Sequence, residues 1–443
     1  MAALLQLNKE QQDAVTHVYE YGQTYLIAPM GAGKTAVALT AMDELIRDLA
    51  VKRVLVIAPL KVCQQVWQAE AVKWQVDKRL NIGLATAYIK SRTEIIQDPK
   101  YNVVLLNFEN VAWFFHPMRP WYKLHLFDML VIDEVTKFKA GGVGFKKLRR
   151  YIPTFNTRLV MSGTPVAESW EGLFYPFMCV DNGTALGRNK QKFLERYFLS
   201  DYNGYNWTLR DGASTELYDR INGAIVNLPS YEHELPPITY HTKMVSLTEV
   251  AKLAYGKMAR DFMLNTRITA ANAAVKTGKL QQIACGFIYP DEDNVVHLHI
   301  NKTKALFKLL VFNIPTVIVY QFKEEKNRLE NLLGSDITFN VEDWQAGKAI
   351  FLGMHPRSAG HGISLTRAER LIFMSPIWSR DLTRQTIGRV WRRGQTKPVT
   401  IYTLLTEGTI DEEIHRREGA KSEHHSMLQA HIKLFKQQPL LEE

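Results

Sequence analysis

From Thr24 onward, short apolar runs rich in β-branched residues alternate with stretches of helical period. "TYLIA" leads into a pattern that predicts a helix from Thr35 to about Leu49, and "RVLVIAP" into one running through Trp74. "NVVLLNF", "DMLVIDE" and "RLVMSGTP" continue the series. These runs are apolar at every position rather than every second one, the signature of strands buried on both faces of a parallel sheet with helices as crossovers. One α/β lobe therefore ends after Pro165. From about Val166 to Asn227 the strands are expected to stop, and aromatic-rich helical sequence such as "NKQKFLERYF" forms an insertion. "NLPSYEHELPPITYH" is proline-rich and without period, which places the lobe boundary there, giving lobes 1–228 and 229–443. A second alternation follows: "TVIVYQ", the helix "KEEKNRLENLL", "KAIFLGMH", "RLIFMSP", a helix through "RQTIGRVWRRGQ", and "TIYTLLT". The tail "IDEEIHRREGAKSEHHSMLQAHIKLFKQQ" reads as a charged brace helix. The expected fold is thus α/β, two parallel-sheet lobes with helical insertions.

Composition narrows the class only in part. A chain of 443 residues, 46% hydrophobic and 23% charged, is too apolar for disorder. Its net charge of +10 favours a polyanionic partner without selecting one. "MAALLQLNKEQQDAV" has neither a basic n-region nor an apolar h-region, and no run approaches the ~18 apolar residues of a membrane span. The expectation is an intracellular protein, cytoplasmic or nucleoid-associated, with no membrane contact. Cys63, Cys179 and Cys285 stand apart from one another, which offers neither a disulfide framework nor a zinc site.

The sharpest local chemistry is "LIAPMGAGKTAV". An apolar strand enters a glycine turn through Met30, Gly31, Ala32 and Gly33, and Lys34 and Thr35 open a helix, an arrangement that cradles phosphates on backbone N–H groups. Lys34 would reach the β- and γ-phosphates of ATP and Thr35 would hold Mg²⁺. A plain strand-to-helix turn with a solvated lysine is the alternative, and Ala28 stands where the full pattern has glycine. "KTGKL" around Lys279 has no strand before it and is set aside. Further on, "MLVIDEV" ends a buried strand in Asp133, a candidate metal ligand, and Glu134, a candidate to orient the attacking water. A lone acidic pair at a strand end is as often a helix cap; a phosphate loop in the same lobe favours the catalytic role.

The ordered set of motifs resembles superfamily-two motors, and specifically the Swi/Snf (Snf-two type) family of DNA-dependent ATPases, over nearly the whole chain. That resemblance implies two tandem RecA-like lobes using ATP and Mg²⁺. Gln11 in "LNKEQQDAV" falls where the family reads adenine. Pro59, Leu60 and Lys61 match its first DNA-contacting motif, and Ser162, Gly163 and Thr164 the motif that couples hydrolysis to DNA. "LQQIACG" is similar to the family's segment before the second sheet. "SAGHGISLTRAERLIFMSPIW" resembles the fifth motif, implying nucleic-acid contacts at Arg357, Ser358 and Trp378 and a nucleotide contact at Gly362. In "QTIGRVWRRGQ", Gln385, Arg389, Arg392, Gly394 and Gln395 fall at the family's spacing. The chain departs from the pattern at Ala28 and Pro29, at Val135 and Thr136, and at Ser364. His355 and His361 lack ligand partners at metal spacing and read as structural.

Gln385, Arg389 and Arg392 are spaced i, i+4, i+7, on one face of a helix, with Val390 toward the sheet and Gly394 placed to end the helix. Two guanidiniums on one face suit charge developing on a transferring phosphoryl group; neutralising DNA phosphates is the competing use. Arg384 and Arg393 are candidates for solvent or DNA, and "FKKLRR" from Phe145 to Arg150 is either a solvated face or a patch along a DNA groove. The expected function is an ATP-dependent double-stranded DNA translocase that remodels or displaces bound protein and acts as a monomer. A strand-separating DNA or RNA helicase and a nucleotide-gated clamp are the alternatives. A motor without reader domains suits a phage or bacterial genome.

Overall fold

In the computed structural model the chain divides into two units, Met1–Tyr231 and Glu232–Glu443. Residues 6–416 are described except 30, 120, 122–125, 139, 164–169, 202–206, 230–233, 264–269, 291–293 and 357–363, with backbone alone for 260–263, 270–276 and 381. Met30, Thr164, Arg357, Ser358 and Gly362 therefore lie outside the described residues, as do His361 and most of the expected brace helix. Among the described residues no helix is long and apolar enough to cross a membrane.

The first unit is built on β1 (Gln23–Ile27), β2 (Val54–Ala58), β3 (Ile82–Leu84), β4 (Val103–Asn107), β5 (Met129–Asp133) and β6 (Thr157–Ser162), with β7 (Phe198–Ser200), β8 (Trp207–Leu209) and β9 (Ile225–Asn227) following. Seven of these form one sheet in the order β3-β4-β2-β5-β6-β1-β9, parallel throughout. Adjacent strand residues feed opposite cores: Leu55 and Ile57 pack with Leu130 and Ile132 on one face, and Val54, Val56 and Ala58 with Val131 on the other. Burial on both faces is why the runs read as unbroken apolar sequence. The crossover helix Lys34–Arg47 closes one face; the stretch expected as one helix through Trp74 forms two, Leu60–Gln65 and Trp67–Lys73.

The segment 166–227 departs from the all-helical expectation. Helices Phe174–Asp181, Lys190–Tyr197 and Ala213–Ile221 are present, but β7 and β8 pair as an antiparallel hairpin and β9 adds to the main sheet beside β1. Each of the three strands has only three residues, too few to carry a visible period.

The second unit repeats the architecture with β10 (Ile238–Val245), β11 (Phe287–Ile288), β12 (Val296–His297), β13 (Thr316–Val319), β14 (Ile337–Thr338), β15 (Phe351–Met354), β16 (Arg370–Phe373) and β17 (Val399–Thr406). Its parallel six-stranded sheet runs β10-β17-β16-β13-β15-β14, and β11 and β12 form a separate hairpin. The start of β10 lies inside the stretch expected to be an aperiodic boundary. It is an edge strand, exposed along most of its length, so no core-facing alternation marks it.

A buried ion pair, Lys302–Asp411, braces this unit. Lys302 is 1% exposed and its Nζ lies 2.6 Å from Asp411 Oδ2, which also accepts the Thr406 N–H at the end of β17. Removing one partner strands a buried charge, so Asp411→Ala is expected to lower the stability of this unit by about 3–5 kcal/mol in urea unfolding, and Lys302→Met with Asp411→Leu to recover most of it.

Candidate nucleotide site

In the first unit β1 runs into the phosphate loop. The Ala28 N–H is held by Ser162 O at 3.0 Å, and the Ala32 N–H turns back to Pro29 O at 3.2 Å. Gly31 and Gly33 take φ of +79° and +85°, a conformation open to glycine and strained for other residues. A Cβ on Gly33 would also meet Gln11 Nε2 at 2.4 Å. The 14-residue helix Lys34–Arg47 starts at Gly33 with no side chain capping it, which leaves its first-turn N–H groups for an anion. Lys34 Nζ donates to Ala28 O at 3.0 Å, inside the loop, and Thr35 sits half-buried beside it.

Gln11 is placed against this loop, with its amide engaged. It is buried, donates from Nε2 to Ala32 O at 2.9 Å and accepts the Asn8 N–H at 3.0 Å, while Asn8 Oδ1 accepts the Gln11 N–H. The same side chain thus caps the helix Lys9–Tyr21 and holds the loop backbone.

β5 delivers the acidic pair. Asp133 is buried at the strand end, and its carboxyl is raised to about 7, first by burial and next by the Glu134 charge, with Lys34 opposing. Glu134 takes φ +62°, the left-handed region, where a side chain other than glycine costs about 1–3 kcal/mol and which recurs at functional sites. A buried carboxylate beside a second one, short of positive charge, fits a divalent cation, and the uncapped helix start fits a triphosphate. Among the described residues no cluster of three or more His, Cys, Asp or Glu is placed to hold a metal.

β6 brings the third element. Ser162 lies opposite Ile27 in register and is hydrogen-bonded to the Tyr25 hydroxyl, and a Cβ on Gly163 would lie 3.7 Å from Lys34 Nζ. Lys34, Asp133 and Ser162–Gly163 are thereby gathered at the carboxyl ends of neighbouring parallel strands, where α/β sheets bind ligands. Pro59, Leu60 and Lys61 follow β2 on the other side of β5, with Pro59 at the cap of the next helix and Leu60 39% exposed. Behind Asp133 the buried Cys63 thiol donates to Ala58 O and is pushed up to about 12 by burial and then by the Asp133 charge, so it is an inert core thiol.

In the second unit the helix carrying the arginines spans Arg380–Val390, capped by the Ser379 side chain. It ends earlier than expected. Gln385 and Arg389 share its face, but Arg392 lies beyond it, and Gly394, at φ +95°, belongs to the turn that follows rather than to the helix end. Two long-range bonds stop the helix. Gln395 Nε2 takes the Val390 carbonyl at 3.1 Å together with Ala368 O at 2.8 Å, and the Trp391 indole donates to Pro236 O at 2.7 Å. Gln395 Oε1 then accepts the Thr396 and Lys397 N–H groups. Arg389 and Arg392 are still close enough to repel. Arg389 is 5% exposed, and burial followed by the Arg392 charge holds its guanidinium down to about 10. Val390 is buried in the core, as expected; Arg393 is exposed and lies 3.6 Å from Glu234.

Sequence reasoning missed a polar cluster that positions Trp378. Gln281 donates to Pro376 O at 2.8 Å and accepts the Trp378 indole N–H at 3.2 Å; Gln321 binds Pro376 O and Ser375, and Ser375 donates to Glu325 at 3.0 Å. Gln281 lies within "LQQIACG", whereas Gln321 and Glu325 carried no local signal.

A family comparison agrees with this geometry: the SNF2-related domain matches residues 12–289. The chain belongs to that family, a class of helicase-like, DNA-dependent ATPases, and the main sheet of each of its two units is parallel. Among relatives it is 27% identical to protein p41 of Acyrthosiphon pisum secondary endosymbiont phage 1, over 92% of this chain and 94% of that one. It is 23% identical to the DNA repair and recombination protein RDH54 of Saccharomyces cerevisiae over 89% of this chain, and spans 48% of that protein. The Sulfolobus solfataricus SWI2/SNF2 ATPase core in complex with double-stranded DNA is 20% identical, with a TM-score of 0.46 over 93% of this chain and 90% of that one.

Proposed function

We propose that the chain is an ATP-driven translocase on double-stranded DNA that moves or displaces bound protein without separating the strands, working as an intracellular monomer. The observation that carries this is the gathering of Lys34, Asp133 and Ser162–Gly163 at adjacent strand ends in a chain of the SNF2-related family. Lys34 leaves the Ala28 carbonyl to neutralise the β- and γ-phosphates, and Glu134 orients the attacking water. Thr35 and Asp133 would hold Mg²⁺, which would supply further neutralisation of the phosphates. Arg389 and Arg392 stabilise charge on the transferring group, with Gln385 beside them. DNA is gripped through Pro59 to Lys61, Ser162 to Thr164, Arg357, Ser358, Trp378 and Arg393.

Coupling between hydrolysis and DNA has a physical route in each unit. Ser162 O holds the loop residue Ala28, so a shift of β6 moves the phosphate loop. In the second unit the Leu365 N–H donates to Arg389 O at 2.8 Å and Gln395 to Ala368 O, tying the arginine turn to the segment after Gly362.

Hydrolysis measured with duplex DNA, single-stranded DNA and RNA tests the proposal. Duplex DNA is expected to stimulate most, Lys34→Ala to abolish the activity, and a bound protein or third strand to be displaced without release of single strands. Duplex stimulation no greater than buffer would exclude a duplex motor; strand release would favour a helicase.

A further inference from the structure

The run "FKKLRR" lines a cavity of about 660 Å³ in the first unit, between the helix Val143–Leu148 and the turn around Asn182 to Arg188. Lys146, Arg149 and Arg150 come from one wall and Arg188 from the other. Arg149 spans the opening, its guanidinium donating to Arg188 O at 2.6 Å, while Lys146, Arg150 and Arg188 are exposed. Among the described residues no carboxylate forms an ion pair with any of the four.

Cations at the end of a helix complement its dipole, which accounts for Lys146 but not for Arg188, contributed by a different segment. The cavity floor narrows the ligand class. Phe145 is buried and packs edge-on against Tyr175, whose ring is covered by Lys190 Nζ at 5.4 Å and backed by Gly141, where any Cβ would strike it at 2.5 Å. Of the two rings in the lining Phe145 is buried and Tyr175 half-buried, and the exposed apolar lining residue is Pro153, not an aromatic anchor of the kind a protein partner uses. What remains is concentrated positive charge with room for on the order of twenty waters at about 30 Å³ each, more than a single inorganic anion fills.

We propose that this cleft is a sequence-independent grip for the phosphate backbone of duplex DNA, separate from the strand-end residues assigned above; it rests on the reading of the protein as a duplex DNA motor. The test is the salt dependence of duplex binding by the full chain. In wild type, affinity is expected to fall steeply with salt. In Lys146→Gln/Arg150→Gln/Arg188→Gln the slope of log affinity against log salt should drop by about 2 to 3, at about 0.9 per lost phosphate contact. The drop should be equal for unrelated sequences, with DNA-free ATP hydrolysis unchanged. Arg150→Lys should keep the wild-type slope, because charge alone sets it. Neutralising Lys9, Lys52 and Lys78, exposed elsewhere on the same unit, should leave the slope unchanged. A cleft variant with the wild-type slope, or a control triple with an equal loss, overturns the grip while leaving the motor intact. Absence of duplex binding in wild type overturns both.

Discussion

Asp133→Asn is expected to abolish ATP hydrolysis and, at the same time, to stabilise the nucleotide-free protein above neutral pH. The carboxyl is raised to about 7 by burial and by Glu134, against about 3.9 in an unfolded chain. Between those values the folded protein holds a proton that the unfolded chain has released, so stability falls as pH rises through that window and the full penalty is present above it. At about 1.4 kcal/mol per pH unit the penalty at pH 8 is on the order of 4 kcal/mol. Thermal unfolding of wild type from pH 5 to pH 8 should therefore show a decline that Asp133→Asn lacks. Magnesium nucleotide should stabilise the wild type more than the variant. An asparagine variant less stable than wild type at pH 8 would show that Asp133 has a compensating partner and is not held for a cation.

What was legible in the sequence follows from where the information lies. β2, β4 and β5 are buried on both faces, and their runs announce themselves. β10 is as long as any strand in the second sheet, yet it is solvated and polar, and β9 is three residues long and exists as a strand through its pairing with β1. The phosphate loop and the acidic pair were legible because each is contiguous and its geometry is set within a few residues by glycine and strand end. The arginine segment was legible in composition but not in shape. Its periodicity continues past Val390, and only bonds from Gln395 to Ala368 and from Trp391 to Pro236, the latter spanning 155 residues, end the helix. Gln395, one of the residues at the family's spacing, bonds the turn to Ala368 and Val390. Gln11 likewise supports the loop in addition to any contact with a base.

Arg389→Met is the companion experiment. It is expected to cut DNA-stimulated hydrolysis by roughly 10³ or more, the range measured for arginine fingers, while raising the stability of the second unit. The guanidinium is buried and held down to about 10 by burial and by Arg392. Its folded value lies below its unfolded one, so the folded protein binds the proton less tightly, and the penalty is constant at neutral pH and relieved only above about 10. A pH scan near neutrality is therefore blind to it, and substitution is the measurement. Methionine keeps much of the side-chain volume without the charge, which removes the penalty of roughly 3 kcal/mol expected for a shift of that size. Arg389→Lys should not rescue hydrolysis, since a point charge cannot reproduce the planar fork. Reduced DNA affinity with undiminished DNA-free hydrolysis would assign Arg389 to the DNA backbone instead. Asp133 and Arg389 then share one logic: burial disfavours the charged form of each, Asp133 in the first unit and Arg389 in the second.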